Sequence, residues 1–244
     1  MGPMALVFYR IIGAGLLFWL LSLFVKTQKV EKNDLKKMVI LSIFGVVVNQ
    51  VFFIYGLSLT SPINSSIIMI SNPIMVFVFT LVIYKVRVTF TKVAGLILAV
   101  TGAVMILLYR GNFEMGSDTW AGDLMTLVNA TSWAIFVVMV KPIMEKYNTV
   151  TAMRWMFLFG SIFILPIGLN EGLAANFDGF TSYAWFAFAF VIVATTFLAY
   201  LLNIYGLIEL SANTVSAYIY IQPFLATLFA IFMGRDELTP TKII

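Results

Sequence analysis

Eight apolar runs dominate this chain, at 5–25, 38–58, 62–84, 93–109, 121–140, 150–169, 183–205 and 213–233. Each approaches the roughly 20 residues that a helix needs to cross the hydrocarbon core of a bilayer. Nothing else in the sequence constrains the fold as strongly. In lipid every backbone N–H and C=O must find a partner within the segment or in a closed barrel, so only helices and barrels can span. The runs lack the alternation of apolar and polar residues that barrel strands carry. The expectation is an all-α integral membrane protein with eight transmembrane helices. Composition agrees: 61% of residues are hydrophobic and 11% charged, with a mean hydropathy of +1.01. A soluble domain is roughly 45–50% apolar and about 25% charged.

Charge orients the spans. One set of alternate connections holds Lys26, Lys29, Lys32, Lys36, Lys37, Lys85, Arg87, Lys92, Lys141 and Lys146, ten basic residues in all. The other set holds Arg110, Arg235 and Lys242 among Glu114, Asp118, Asp123, Glu171, Asp178, Asp236 and Glu237. Cytoplasmic loops carry the excess of lysine and arginine. The reading is therefore a multi-pass protein of the cell membrane, a bacterial inner membrane, with loops 26–37, 85–92 and 141–149 in the cytoplasm.

Laying residues 51–94 over 201–244 without a gap gives eleven identities in 44 positions, among them Tyr55/Tyr205, Gly56/Gly206, Ser61/Ser211 and Pro73/Pro223. By the span count the two copies cross the membrane in opposite senses. Inverted repeats of this kind build secondary transporters, with substrate near the midplane where the copies meet. The expected units are 1–112 and 120–244, each drawn from a five-helix repeat. The first lacks its first helix and the second its last, so that the chain reads as eight helices of a ten-helix protein.

Within the repeat, Asn72-Pro73 and Gln222-Pro223 stand in matching places. Proline removes a helix hydrogen bond and bends its helix, so Pro73 and Pro223 are expected kinks that present Asn72 and Gln222 to a path. Other uncharged polar or aromatic residues fall in the spans. Asn49, Asn129, Trp133, Tyr200, Asn203 and Tyr220 join those two as candidate lining of a substrate cavity, and Gln50 belongs to the same polar set. The bland reading of each is a hydrogen bond between helices. Arg154 is costly inside a span and so is a candidate for a carboxylate or phosphate, unless it snorkels to lipid headgroups. Arg10 is its approximate repeat equivalent, expected near the outer face. Lys141 reads as a positive-inside anchor. Gly95 and Gly102, with Ala99 and Ala103, read as a stripe for close helix packing.

The motifs in order resemble the drug/metabolite transporter superfamily, and in particular its ten-helix EamA-type members. "AGDLMTLVNATSWAIFVVMVK" (Ala121–Lys141) is similar to that family's opening of the second repeat. "YGLSLTSPINSSIIMISNPIMVFVFTLVI" (Tyr55–Ile83) resembles its third-to-fourth helix region. "KVAGLILAVTGAVMILL" (Lys92–Leu108) resembles the fifth helix, and "PMALVFYRIIGAGLLF" (Pro3–Phe18) the second, with Arg10 in the family's arginine position. The resemblance implies a carrier for small metabolites such as amino acids, often exporting them.

The expectation is thus a secondary transporter moving a small polar metabolite by alternating access, in the export direction. The alternatives are a non-transporting scaffold or channel subunit, or a proton-coupled carrier for another metabolite class. The chain has no histidine, no cysteine and no metal-spaced cluster, so no enzyme, metal site or cofactor is expected. The basic residues form no continuous stripe, which argues against nucleic acid. The expected partners are a small-molecule substrate and the lipid bilayer, and a homodimer is compatible with them.

Overall fold

The computed structural model describes residues 1–85, 89–110, 119–221 and 225. Every regular element among them is helical. The helices are α1 (Pro3–Leu21), α2 (Lys32–Ser42), α3 (Asn49–Leu59), α4 (Pro62–Met69), α5 (Ser71–Tyr84), α6 (Phe90–Arg110), α7 (Trp120–Met144), α8 (Thr149–Leu173), α9 (Ser182–Ile192), α10 (Ala199–Glu209) and α11 (Ala212–Ala217). A π-helical segment, Ile43–Val48, joins α2 to α3, and a second, Val193–Leu198, joins α9 to α10. Six of the described helices are long and apolar enough to cross a membrane: Pro3–Leu21, Lys32–Leu59, Asn64–Tyr84, Trp120–Met144, Thr149–Leu173 and Ser182–Glu209. The run at 93–109 falls within α6, and most of the run at 213–233 lies outside the described residues.

The repeat is visible in the backbone. The elements Lys32–Ser42, Ile43–Val48 and Asn49–Leu59 recur at Ser182–Ile192, Val193–Leu198 and Ala199–Glu209, each displaced by 150 residues. The turn that follows is built the same way twice. Ser61 caps α4 by accepting the Asn64 N–H at 3.1 Å, and Ser211 caps α11 by accepting the Thr214 N–H at 3.1 Å. A serine hydroxyl in that position satisfies one of the N–H groups that a helix start leaves without a partner.

The long helix α7 fixes the sense of the two copies. At its start, Asp123 accepts a 2.5 Å hydrogen bond from the Thr60 hydroxyl at the end of α3. There Gly122 passes so close to α3 that an added Cβ would lie 2.7 Å from the Leu59 carbonyl carbon and the Thr60 nitrogen. At the other end of α7, the Lys141 ammonium donates to the carbonyls of Leu207 and Leu210, the latter at 3.1 Å, which closes the last turn of α10. So α3 ends where α7 begins, and α10 ends where α7 finishes. The copies run in opposite directions. Lys141 does more than mark an interface: it satisfies carbonyls at the negative end of a helix dipole.

The core lies where α1, α7 and α8 meet the first π segment. Val7, Ile11, Ala14 and Phe18 of α1 face Met153, Met156, Phe157 and Ile164 of α8, with Val46 and Phe136 filling the space between, all fully buried. Gly45 is required by this packing, since an added Cβ would come 2.2–2.5 Å from the Phe136 ring. The glycine stripe expected on α6 behaves differently. A Cβ at Gly95 or Gly102 meets nothing within 4 Å among the described residues, whereas one at Gly13, Gly45, Gly122, Gly160 or Gly172 would meet a neighbour within 3 Å.

At the lysine-rich end the connection from α1 to α2 is tied to the one from α7 to α8. The buried Asp34 carboxylate accepts from Lys37 (2.9 Å), Lys146 (3.0 Å) and the Tyr147 hydroxyl (3.0 Å). The Asp34 hydrogen bond and then its charge raise the Lys146 ammonium above the ordinary lysine value. Asn148 donates to the Lys26 carbonyl at 2.7 Å and also caps α8.

Candidate substrate-binding site

The two π segments lie midway along their spans. A π turn shifts the helical hydrogen-bond ladder by one residue, and such turns recur at functional sites. In lipid, carbonyls at the shift must take donors from neighbouring helices. The Phe44 carbonyl accepts from the Ser132 hydroxyl at 2.7 Å. The Gly45 carbonyl accepts from the Tyr200 hydroxyl at 2.6 Å, and the Asn49 carbonyl accepts from Asn129 Nδ2 at 2.7 Å. Tyr200 also stands 3.1 Å from Asn49 Oδ1. A phenol has one proton, which goes to the nearer Gly45 carbonyl.

This brings four of the sequence-expected residues together. Asn49, Asn129, Trp133 and Tyr200 form one cluster, with the Trp133 and Phe157 rings packed edge-on against Tyr200 at 5.5 and 5.0 Å. Asn72 approaches α7 one residue further on, donating from Nδ2 to the Ala130 carbonyl at 2.8 Å. It is fully buried, and its Oδ1 has no partner among the described residues; the same holds for Oδ1 of Asn129. The helix carrying Asn72 breaks at Ile70, three residues ahead of Pro73. Tyr220, which matches Ile70 in the repeat, donates to the Ile70 carbonyl at 3.3 Å. The two copies therefore touch at equivalent residues, Tyr220 lying in a short 3-10 turn, Tyr218–Ile221.

Other expected residues lie elsewhere. Arg154 sits over the rings of Trp19 (5.1 Å) and Trp155 (5.9 Å) toward the lysine-rich end, and these are its described contacts. Asn203 is exposed, with no hydrogen bond among the described residues. Gln222 and Pro223 lie outside the described residues.

Arg10 differs from its sequence expectation. It is the eighth residue of the 19-residue α1, not a residue near the outer face, and it is 8% exposed. Its Nε–H donates to the Thr196 hydroxyl in the second π segment at 2.9 Å, and the Thr196 hydroxyl itself donates to the Val191 carbonyl at 2.8 Å. Gln50 adjoins the same cluster. It is 2% exposed, and neither side-chain atom has a hydrogen-bond partner among the described residues.

These features define a multi-pass helical membrane protein with two opposed copies of one motif and a polar, aromatic-walled cluster where they meet. Comparisons with known proteins give its family. The sequence matches the EamA-like transporter family over residues 1–108 and 120–244, and the chain belongs to that family of membrane transporters. An uncharacterized transporter of Archaeoglobus fulgidus is 27% identical over 241 residues, covering 96% of this chain and 81% of the relative. The uncharacterized transporter YyaM of Bacillus subtilis is 24% identical, covering 92% and 74%. The WAT1-related protein At3g53210 of Arabidopsis thaliana is 26% identical over 57% of this chain and 43% of its own length. A solved structure described only as "Crystal structure of protein" superposes over all of this chain and 83% of its own, with a TM-score of 0.79 at 17% identity, and so shares the fold.

Proposed function

We propose that this chain is a secondary transporter that moves a small polar metabolite, such as an amino acid, by alternating access and in the export direction. Units 1–112 and 120–244 rock against each other around the central cluster. The lysine-rich end, with loops 26–37, 85–92 and 141–149, faces the cytoplasm of a bacterial inner membrane. The observation that supports this reading is the pair of π segments, 150 residues apart and opposed in direction, the first bonded by Tyr200 of α10 and the second by Arg10 of α1. Discontinuous helices at the junction of inverted repeats are where transporters of this kind hold their solutes. Asn49, Asn72, Asn129, Trp133, Tyr200 and Tyr220 supply a neutral lining.

The test is counterflow in proteoliposomes. A carrier accelerates uptake of labelled solute when the same unlabelled solute waits on the other side, whereas a channel or scaffold does not. The Asn72→Ala variant should lower the rate while inserting normally. Uptake without trans-acceleration would remove the alternating-access reading.

A further inference from the structure

A guanidinium at mid-span is costly, and in a membrane it is normally paired with a carboxylate or with backbone carbonyls. Among the described residues Arg10 has no carboxylate partner, and its one hydrogen bond uses Nε. Thr196 spends its proton on the Val191 carbonyl and so offers Arg10 only a lone pair, which holds the guanidinium by its stem side. The two terminal nitrogens then form a fork of the kind that matches a carboxylate. Gln50 lies on α3, which packs against α1, and it follows Asn49, whose Oδ1 stands 3.1 Å from the Tyr200 hydroxyl; neither atom of its own amide has a hydrogen-bond partner among the described residues. Tyr200 lies one helical turn from Thr196, the residue that holds Arg10. A buried amide with neither end satisfied calls for a missing partner.

A cleft of about 330 Å³ opens between α1 and α3 at the end away from the lysines, lined in part by Pro3, Leu6, Ile54 and Leu57. Pro3, Leu6 and Arg10 share one face of α1 by helical spacing, as Gln50, Ile54 and Leu57 share one face of α3. Arg10 and Gln50 therefore lie one turn deeper than the cleft, on the faces that line it.

We infer that Arg10 and Gln50 form a carboxylate-recognition subsite one turn below the cleft between α1 and α3. This names the substrate class of the proposed carrier and rests on that reading. The solute bears one carboxylate, which takes the Arg10 fork and the Gln50 NH2, while its remainder lies against Tyr200 and Trp133. A phosphate ester fits less well, because a doubly charged group asks for more than one cation.

The test uses the full chain in proteoliposomes and a labelled panel: amino acids, lactate, glycerol phosphate, nucleosides, and the amides and amines corresponding to the amino acids. The expected result is saturable uptake of carboxylates, with amides competing roughly 10- to 100-fold more weakly, the scale of losing a hydrogen bond to a charged group. Arg10→Gln and Gln50→Leu should each raise KM for the carboxylate and shrink its preference over the amide. Arg10→Lys should recover part of that preference. A purely structural arginine would lower the amount of folded carrier and leave the preference ratio unchanged. Saturable uptake confined to neutral or phosphorylated solutes, or an unchanged ratio in Gln50→Leu and Arg10→Gln, overturns the subsite and leaves the carrier standing. No saturable uptake of any solute overturns both.

Discussion

Removing the Tyr200 hydroxyl isolates one contact between the two copies. Tyr200→Phe keeps the ring against Trp133 and Phe157 and deletes only the 2.6 Å hydrogen bond to the Gly45 carbonyl. Hydrogen bonds between membrane helices average about 0.6 kcal/mol and reach about 1.7 kcal/mol. This one is short, 5% exposed, and directed at a carbonyl inside a π segment, where the regular ladder is already displaced. It therefore belongs near the upper end. The expected loss is about 1.5 kcal/mol, a little more than tenfold in the unfolding equilibrium. Tyr200→Ala also empties a buried aromatic position and should cost about 3–5 kcal/mol. Reversible unfolding in mixed micelles, followed by tryptophan fluorescence, measures both. If Tyr200→Phe unfolds with the wild type while Tyr200→Ala does not, the site holds by packing alone. The bridge across the repeat then contributes nothing.

Gly122→Val should lower the melting temperature in detergent, because its Cβ would collide with α3 backbone at 2.7 Å; overpacking of this kind costs about 1–3 kcal/mol. Gly95→Ala should be neutral or stabilising by up to about 1 kcal/mol, since its Cβ meets nothing and alanine favours helix. Lys141→Met should lower the melting temperature by uncapping α10, and Lys141→Arg should restore part of the loss; equal stability in all three forms would deny the cap. Asp34→Asn weakens the two contacts, to Lys146 and Tyr147, that tie the lysine-rich connections together and should speed proteolysis of residues 22–31; Tyr147→Phe, which loses its bond to Asp34 and the one it accepts from the Glu31 N–H, should do the same.

Much of this architecture is legible in the sequence, because lipid leaves a chain few choices and a duplicated unit repeats its punctuation. Gly56/Gly206 and Ser61/Ser211 mark the ends of corresponding helices, and the two serines perform the same capping. The π segments carry no such mark. Ile43–Val48 and Val193–Leu198 share no identical residue, so their 150-residue correspondence emerges only from the backbone. Asn49, Asn129, Trp133 and Tyr200 stand out as polar or aromatic residues within apolar runs, and they do meet. Arg10 was placed too shallow because depth was judged from the edge of a run, whereas α1 begins at Pro3 and puts Arg10 in its middle. Gln50 had an available signal: it matches Tyr200 in the repeat register. Spacing alone does not say which face of α6 has a neighbour, and Gly95 and Gly102 meet none among the described residues. Gly56, which is repeated, and Gly122 meet each other instead.

The antiparallel arrangement of the copies underlies the carrier reading, and the absence of cysteine makes it easy to probe. Ser58 and Ile208 occupy the same place in the two copies, near the ends of α3 and α10, and both are exposed. Single variants Ser58→Cys and Ile208→Cys, in sealed right-side-out membrane vesicles, can be challenged with an impermeant maleimide. Labelling of Ser58→Cys from outside, and of Ile208→Cys only after the vesicles are opened, is the expected result. Labelling of both from one side would contradict the inverted repeat and the rocking carrier built on it.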